Sequence, residues 1–525
     1  MAANTSIDGI SIPDQFRRTA REFAKHRAVI FGGRTLDFAT LDLLSDRFAG
    51  ALSKRGIGRG DRVGLYCINS DAFVIAYLGI SKAGAVVVPI NLLLNPKEIA
   101  FILNDAEAKA LCYFEAFAQA VAALTPGTPS LAFRVCIGRN KTTASDLLFE
   151  DLLAANDQPP AVSLDPAEDL AAILYTSGTT GRPKGAMLTH RNLISNTWSV
   201  AQALKLKPGG EIFLTVLPMF HAFAATAGML SPLLHGCAIV PMARFEPEHV
   251  ARTIHSEKAT IFLGVPSMYN VLLHLPDEFV PMLASLKYGA SGGAAMPVEV
   301  MNRFEARFGK AIYEGDGPTE CSPVTCVNPI GGRRKPTSVG MPVPLVEMKI
   351  MDDSGRELPK GQVGEICVRG PNVMKGYWRL PDDTAQAFFG EWFRTGDLGT
   401  EDEDGYFYIV DRKKDMIIVN GMNVYPRIVE ELLYKHPAVR EAAVVGEPDE
   451  LHGEIPVAYI ALKQDASATA AQLRAYCREN VGRHEVPRKI YFMPELPKNA
   501  AGKILKRELR KHGEMERGVD SRARE

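Results

Sequence analysis

Apolar and polar positions along the first 170 residues alternate between two rhythms. Short continuous apolar runs such as "DRVGLYCI" and "AVVVPI" read as buried strands, and between them "SDAFVIAYLGISKAG" reads as a helix that stops at glycine. Alternation of this kind predicts parallel α/β layers. The rhythm returns further on, with "ATIFLGV" as a strand, "PSMYNVLLHL" as a helix started by proline, and "LKYGASGG" as a strand running into a glycine turn. From about Gly331 the texture changes. "EMKIMDDSGRELP", "VGEICVRG" and "EDEDGYFYIVD" are short strands with Ser-Gly or Asp-Gly turns, which predict antiparallel hairpins and a β-rich, barrel-like subdomain over 331–411. After "DRKKD" the chain is mixed again, with "RIVEELLYKHP" as a helix and "AAVVGEP" and "PVAYIAL" as strands. A boundary at Asp411 to Lys414 therefore divides a large α/β N-terminal domain, 1–411, from a small α+β domain, 412–525. The charged stretch from about 511 to 525 lacks apolar periodicity and is expected to fray.

Composition narrows the partners. The chain has 525 residues, enough for more than one folding unit, and carries 60 Lys+Arg against 61 Asp+Glu. That balance gives no basis for nucleic acid or an anionic membrane as the main partner. No apolar run reaches the roughly 18 residues of a membrane span. The nearest, "FVIAYLGISKAGAVVVPI", is broken by Lys82 and Gly84. The N-terminus lacks a basic segment followed by an apolar one, so export is not expected. Eight cysteines are scattered, and Cys321 and Cys326 lack metal-ligand spacing, so a reducing cytoplasm is the expected compartment. Sequence alone does not decide between a monomer and a homodimer.

The candidate chemistry begins at "YTSGTTGRPKG", residues 175–185. An apolar strand precedes it and a helix is expected from Thr189. Its glycines let the backbone approach an anion, successive N–H groups can form a concave nest, and Lys184 adds charge. It is not a P-loop, because Lys184 is followed by Gly185 and not by a magnesium-binding hydroxyl.

This stretch resembles the signature of the adenylate-forming superfamily, which includes acyl- and aryl-CoA synthetases and adenylation domains. "LPMFHAF" at 217–223, "ASGGAAMP" at 290–297, "EGDGPTE" at 314–320 and "GEICVRGPNVMKGYW" at 364–378 resemble further motifs, in the family's order. So do "WFRTGDLG" at 392–399, "VDRKKDMIIVNGMNVYP" at 410–426 and "PKNAAGKILKREL" at 497–509. The resemblance spans nearly the whole chain. It implies that a carboxylic acid and ATP give acyl-adenylate and pyrophosphate, after which the thiol of CoA takes the acyl group. Adenylation turns a carboxylate oxygen into a good leaving group and splits one hard step into two.

The same resemblance implies roles. Thr176, Ser177, Gly178, Thr179, Thr180, Gly181 and Lys184 would hold the β- and γ-phosphates, the side that leaves as pyrophosphate. Gly292 and Gly293, with Glu314, Gly315, Asp316 and Gly317, would build the nucleotide wall. Glu320 matches the magnesium ligand and Thr319 an α-phosphate contact. Asp397 would accept the ribose hydroxyls, with Arg412 as a second contact; a carboxylate suits a diol because it has several lone-pair sites. Lys503 matches the lysine that neutralises charge during adenylation. Rotation of the small domain about Lys414 would later replace it with the face around Gly421. His221 would orient the substrate carboxylate, which is already deprotonated at neutral pH and needs no base. Asp316 departs from the pattern, since an aromatic residue that stacks on adenine is usual there and a carboxylate has no π face.

The acid itself stays open. The region 217–250 is most like bacterial fatty-acyl-CoA ligases, with 4-coumarate-type ligases related. Ala222, Ala224, Ala225, Ala227 and Gly228 could equally line a tunnel for an alkyl chain or form a tightly packed helix face. Aryl-CoA ligases, enzymes that load a carrier protein, and a non-catalytic nucleotide-binding protein are the alternatives.

Overall fold

The computed structural model describes residues 9–124, 127–177, 183–449, 451–464, 466–498, 502 and 504–512. Two large sheets form the N-terminal part. One has nine strands, ordered Met341–Pro342, Cys326–Val327, Ile312–Asp316, Tyr288–Ser291, Ile261–Gly264, Ile212–Thr215, Ala238–Pro241, Arg27–Phe31 and Arg34–Asp37. Its six strands from Ile312–Asp316 to Arg27–Phe31 run parallel. The other has eight strands, with Arg62–Tyr66 parallel to both Val86–Pro89 and Ala108–Phe114 near its centre.

Helix Asp71–Lys82 is buried at every position from Phe73 to Lys82, as its apolar run from Phe73 to Ile80, hydrophobic all round, requires. Ser70 caps it by accepting the Phe73 amide, and Ala83 ends it before Gly84, whose φ of 77° is left-handed. Lys82 at its end is 2% exposed and is held by Asp42 at 2.5 Å and Asp46 at 2.9 Å on helix Phe38–Ser53. A buried ammonium needs such partners.

The β-rich stretch forms a five-stranded antiparallel sheet from Glu347–Met351, Gly364–Arg369, Trp392–Glu401, Phe388–Phe389 and Phe407–Arg412. Two of its short strands leave it. Met341–Pro342 joins the edge of the nine-stranded sheet, and Gly376–Tyr377 joins the edge of the eight-stranded one.

The last sheet is built on the long hairpin Val439–Asp449 and Gly453–Leu462. Period-two alternation gives it two buried faces. Ala442, Val444, Ala458 and Ile460 pack with Val429, Leu433 and Leu473. Ala443, Val445, Val457 and Tyr459 pack on the other side with Leu496 and Leu509. The expected helix at "RIVEELLYKHP" spans Pro426–Lys435 and starts one residue earlier, at proline. Of the expected tail, residues 511 and 512 are helical, and 513–525 lie outside the described residues.

Candidate active site

The sequence pattern around Lys184 predicts strand, loop and helix. The structure adds a strand, Pro183–Thr189, antiparallel to Leu170–Ser177, so Lys184 sits on a hairpin arm and not in a loop. Thr176 pairs directly with Lys184, which puts both side chains on one face. Gly178, Thr179, Thr180 and Gly181 lie outside the described residues, as does the side chain of Ser177. Thr189 caps helix His190–Ala203 through a reciprocal pair with Asn192.

Strand Gly376–Tyr377 pairs with the same arm, Tyr377 opposite Ala186. Tyr377 thereby joins Thr176 and Lys184 on their face. Its hydroxyl donates to Glu320 Oε1 at 3.0 Å, and the Thr176 hydroxyl reaches the same oxygen at 3.4 Å. The Lys184 ammonium sits 5.3 Å from the centre of the Tyr377 ring and is hydrogen-bonded to Asp383. Sequence reasoning places Thr176, Lys184 and Glu320 in the site but gives no role to Tyr377 or Asp383. The "MKGYW" end of its motif is the available signal.

The residues expected to form the nucleotide wall lie beyond the carboxyl ends of parallel strands, the usual place for ligands in open α/β sheets. Gly292 and Gly293 follow Tyr288–Ser291, while Gly315 and Asp316 end Ile312–Asp316; these four and Gly317 and Thr319 line one cavity. A Cβ on Gly317 would sit 1.7 Å from the Pro323 carbonyl oxygen, so no other residue fits there. Asp316 pairs with Cys326, and its carbonyl accepts the Thr325 amide and hydroxyl, each at 3.0 Å.

Glu314 requires a correction: it braces the wall from behind and does not line it. Its side chain is 1% exposed and accepts the Met296 amide at 3.0 Å, while its carbonyl accepts the Asn328 amide at 2.9 Å. Burial raises its pKa to about 7.

Asp397 and Arg412 face each other on adjacent strands, with the guanidinium 3.4 Å from the carboxylate. Asp397 is 14% exposed against 45% for Arg412, so the carboxylate is the recessed partner. The Asp397 amide donates to Thr395 Oγ1, and that hydroxyl donates to the Ile366 carbonyl.

Gly421 turns the hairpin between Ile417–Val419 and Met422–Val424 with φ 78°, and it is not part of the cavity lining. Lys503 lies outside the described residues. Its neighbour Gly502 is placed: a Cβ there would lie 3.1 Å from Val265, and one on Gly293 would lie 3.9 Å from the same side chain. Gly502 therefore lies against Val265, beside Gly293.

His221 is exposed and lines the cavity, with the Phe223 amide 3.4 Å from its Nδ1. The remaining lining is mostly apolar: Val200, Ala203, Leu204, Phe223, Ala227, Leu263, Ala290, Tyr313, Pro323, Val324, Cys326 and Val327, with Ser291 as a polar member. The segment Ala224–Leu230 is a π-helix, and it resolves the question of its small residues. Ala227 faces the cavity. Ala222, Ala224 and Ala225 are buried outside its lining, and the Gly228 carbonyl accepts the Thr215 hydroxyl at 2.8 Å. Asn69, which no motif marks, fixes the preceding loop. It donates to the Leu217 carbonyl at 2.9 Å and accepts the Met219 amide at 2.8 Å.

Among the described residues no helix is long and apolar enough to cross a membrane, and no group of three or more His, Cys, Asp or Glu could hold a metal ion. All eight cysteines are free and buried.

Residues 16–378 match the AMP-binding enzyme family, and 428–503 match the AMP-binding enzyme C-terminal domain. A long-chain-fatty-acid–CoA ligase of Bacillus subtilis is 37% identical over 519 residues, covering 94% of this chain and 92% of the relative. A feruloyl-CoA synthase of an Amycolatopsis species is 37% identical over 495 residues, covering 94% and 97%. Among solved structures, ATP-bound MatB from Rhodopseudomonas palustris superposes with a TM-score of 0.88 at 31% identity, covering 96% and 99%. The anthranilate CoA ligase AuaEII in complex with anthranoyl-AMP gives 0.88 at 31%, covering 96% and 97%. The chain belongs to the AMP-binding enzyme family, as an ATP-dependent acid–thiol ligase of the acyl-CoA synthetase type.

Proposed function

We propose that the chain activates a long-chain fatty acid in a reducing cytoplasm, with magnesium accompanying ATP. The carrying observation is one largely apolar cavity that Gly292, Gly293, Gly315, Asp316, Gly317 and Thr319 also line, together with His221. In the first step a carboxylate oxygen bonds to the α-phosphorus and the bond to the β-phosphate oxygen breaks, releasing pyrophosphate. In the second, the CoA sulfur bonds to the acyl carbon, AMP departs with the former carboxylate oxygen, and the thiol proton passes to solvent.

Thr176 and Lys184 grip the leaving pyrophosphate, Thr319 meets the α-phosphate, and Asp397 with Arg412 holds the ribose. His221 orients the acid. Lys503 neutralises charge that builds on the α-phosphate side, where a preorganised cation is most effective. The small domain, 412–525, then turns about Lys414 and brings the Gly421 face to the site. Glu320 fits magnesium, a hard cation commonly bound by one or two carboxylates together with substrate phosphates. When bound, the ion neutralises charge on the phosphate oxygens.

An aryl acid is the second reading. Phe223 and Tyr313 give the cavity two aromatic side chains, and the feruloyl-CoA synthase is as similar as the fatty-acid ligase. Pyrophosphate exchange with a panel of aliphatic and aryl acids, with and without CoA, separates the cases. Acid-dependent exchange plus a thioester only when CoA is present supports the proposal. Binding of ATP with no acid-dependent exchange rejects it.

A further inference from the structure

Tyr377 belongs to no part of the proposed chemistry, yet it touches two groups that do. It stands on a two-residue strand whose neighbours are tied to the hairpin arm: the Lys375 amide donates to the Met187 carbonyl at 2.9 Å and the Trp378 amide to the Gly185 carbonyl at 2.7 Å. The Tyr377 amide donates to Thr384 Oγ1 at 2.9 Å, and Trp378 Nε1 donates to the Asp105 carbonyl at 2.9 Å. A side chain held from both sides of its backbone is a rigid support.

We infer that Tyr377 is a positioning residue for triphosphate binding, its hydroxyl fixing Glu320 for the metal and its ring holding Lys184 for the phosphates. A carboxylate has several lone-pair sites, so a donor committed to Oε1 at 3.0 Å sets the rotamer and leaves Oε2 for the cation. On its other side the ring presents a π face to the Lys184 ammonium, which Asp383 also holds. Metal ligand and phosphate cation are therefore set by one side chain before nucleotide arrives, which lowers the ordering cost of binding.

The inference rests on Glu320 as the magnesium ligand, and its test separates the two. The dissociation constant of ATP is measured by titration calorimetry on the full-length chain, in magnesium and in EDTA. The proteins are the parent, Tyr377→Phe, Glu320→Gln and the double variant. Tyr377→Phe keeps the ring and the pairing with Ala186, so it is expected to fold, and its melting temperature checks this. The expected result is an approximately ten- to hundredfold weaker affinity in magnesium, the size of one lost hydrogen bond to a charged group, with affinity in EDTA within about twofold of the parent. The double variant should bind no worse than Glu320→Gln, because the hydroxyl acts through Glu320. Tyr377→Phe that binds like the parent, or is weakened equally in both media, overturns the inference alone. Additive losses in the double variant overturn it as well. Glu320→Gln that binds magnesium-ATP like the parent overturns the metal reading and the inference with it.

Discussion

The two walls of the cleft are built on different terms. On the nucleotide side each position answers a specific demand: Gly317 has no room for a Cβ, Asp397 faces Arg412, and Glu320 takes hydroxyls from Thr176 and Tyr377. On the acid side the lining is Val200, Ala203, Leu204, Ala227, Leu263 and Val324, side chains that would serve in any core. In the proposed function the nucleotide wall recognises charge and hydrogen-bonding direction, which only a few residue types supply. The proposed acid wall would recognise volume, which many combinations supply, with discrimination in small steps of about one methylene group. A single fold can therefore keep one wall and vary the other.

Four substitutions probe that contrast. The largest effect is expected from Lys503→Ala, which should lower ATP–pyrophosphate exchange by about 10²–10³-fold while leaving thioester formation from supplied acyl-adenylate largely intact. Equal loss of both half-reactions would show that Lys503 serves the fold or both steps. Next is Glu314→Gln. Glu314 has a folded pKa of about 7, raised by burial above its ordinary 4.5, so the folded state binds more protons than the unfolded state between those values. Stability attributable to this group is full below pH 4.5, falls as pH rises, and the cost is complete above pH 7. The glutamine variant should match the parent near pH 4.5 and be more stable at about pH 8, by about 3 kcal/mol at most. Thermal melts at the two pH values measure this, and a pH-independent difference would mean that the carboxylate is not desolvated.

Ala227→Phe addresses the other wall. It should raise KM for long-chain acids by about tenfold or more and leave the ATP dissociation constant unchanged. An unchanged KM would place the acyl chain elsewhere. The smallest effect is that of Asp316→Tyr, which supplies the aromatic face this chain lacks and should tighten ATP binding about fivefold. Unchanged affinity would put position 316 outside the adenine pocket.

The contrast also explains what the sequence reveals. The strands Arg62–Tyr66, Val86–Pro89, Ile261–Gly264 and Tyr288–Ser291 and the proline-started helix Pro266–Leu272 are legible because their apolar runs and stops are local. The motifs single out Thr176, Thr319, Asp397 and Arg412, and the structure puts Thr319 on the cavity and pairs Asp397 with Arg412. Glu314 is misplaced by sequence alone because a motif does not say which side chains turn inward; that follows from the Met296 amide, eighteen residues away in sequence. Tyr377 escapes because its value depends on an edge pairing between residues 186 and 377 that no local pattern announces. Lys184 reads as a loop residue for the same reason, since its strand is recognisable only with a partner on either side. The acid wall is the least legible, because Ala227 and its neighbours Ala225 and Gly228 look alike in sequence and only packing assigns them different roles.

Selection of a long aliphatic acid by the apolar wall is tested by direct competition. Equimolar hexadecanoate and ferulate, with ATP, magnesium and CoA, are offered together to the full-length chain, and the two thioesters are quantified by mass spectrometry at low conversion. Their ratio equals the ratio of kcat/KM values. The expected result is at least a roughly tenfold excess of hexadecanoyl-CoA, the discrimination of a few methylene-sized contacts; an excess of feruloyl-CoA would contradict it.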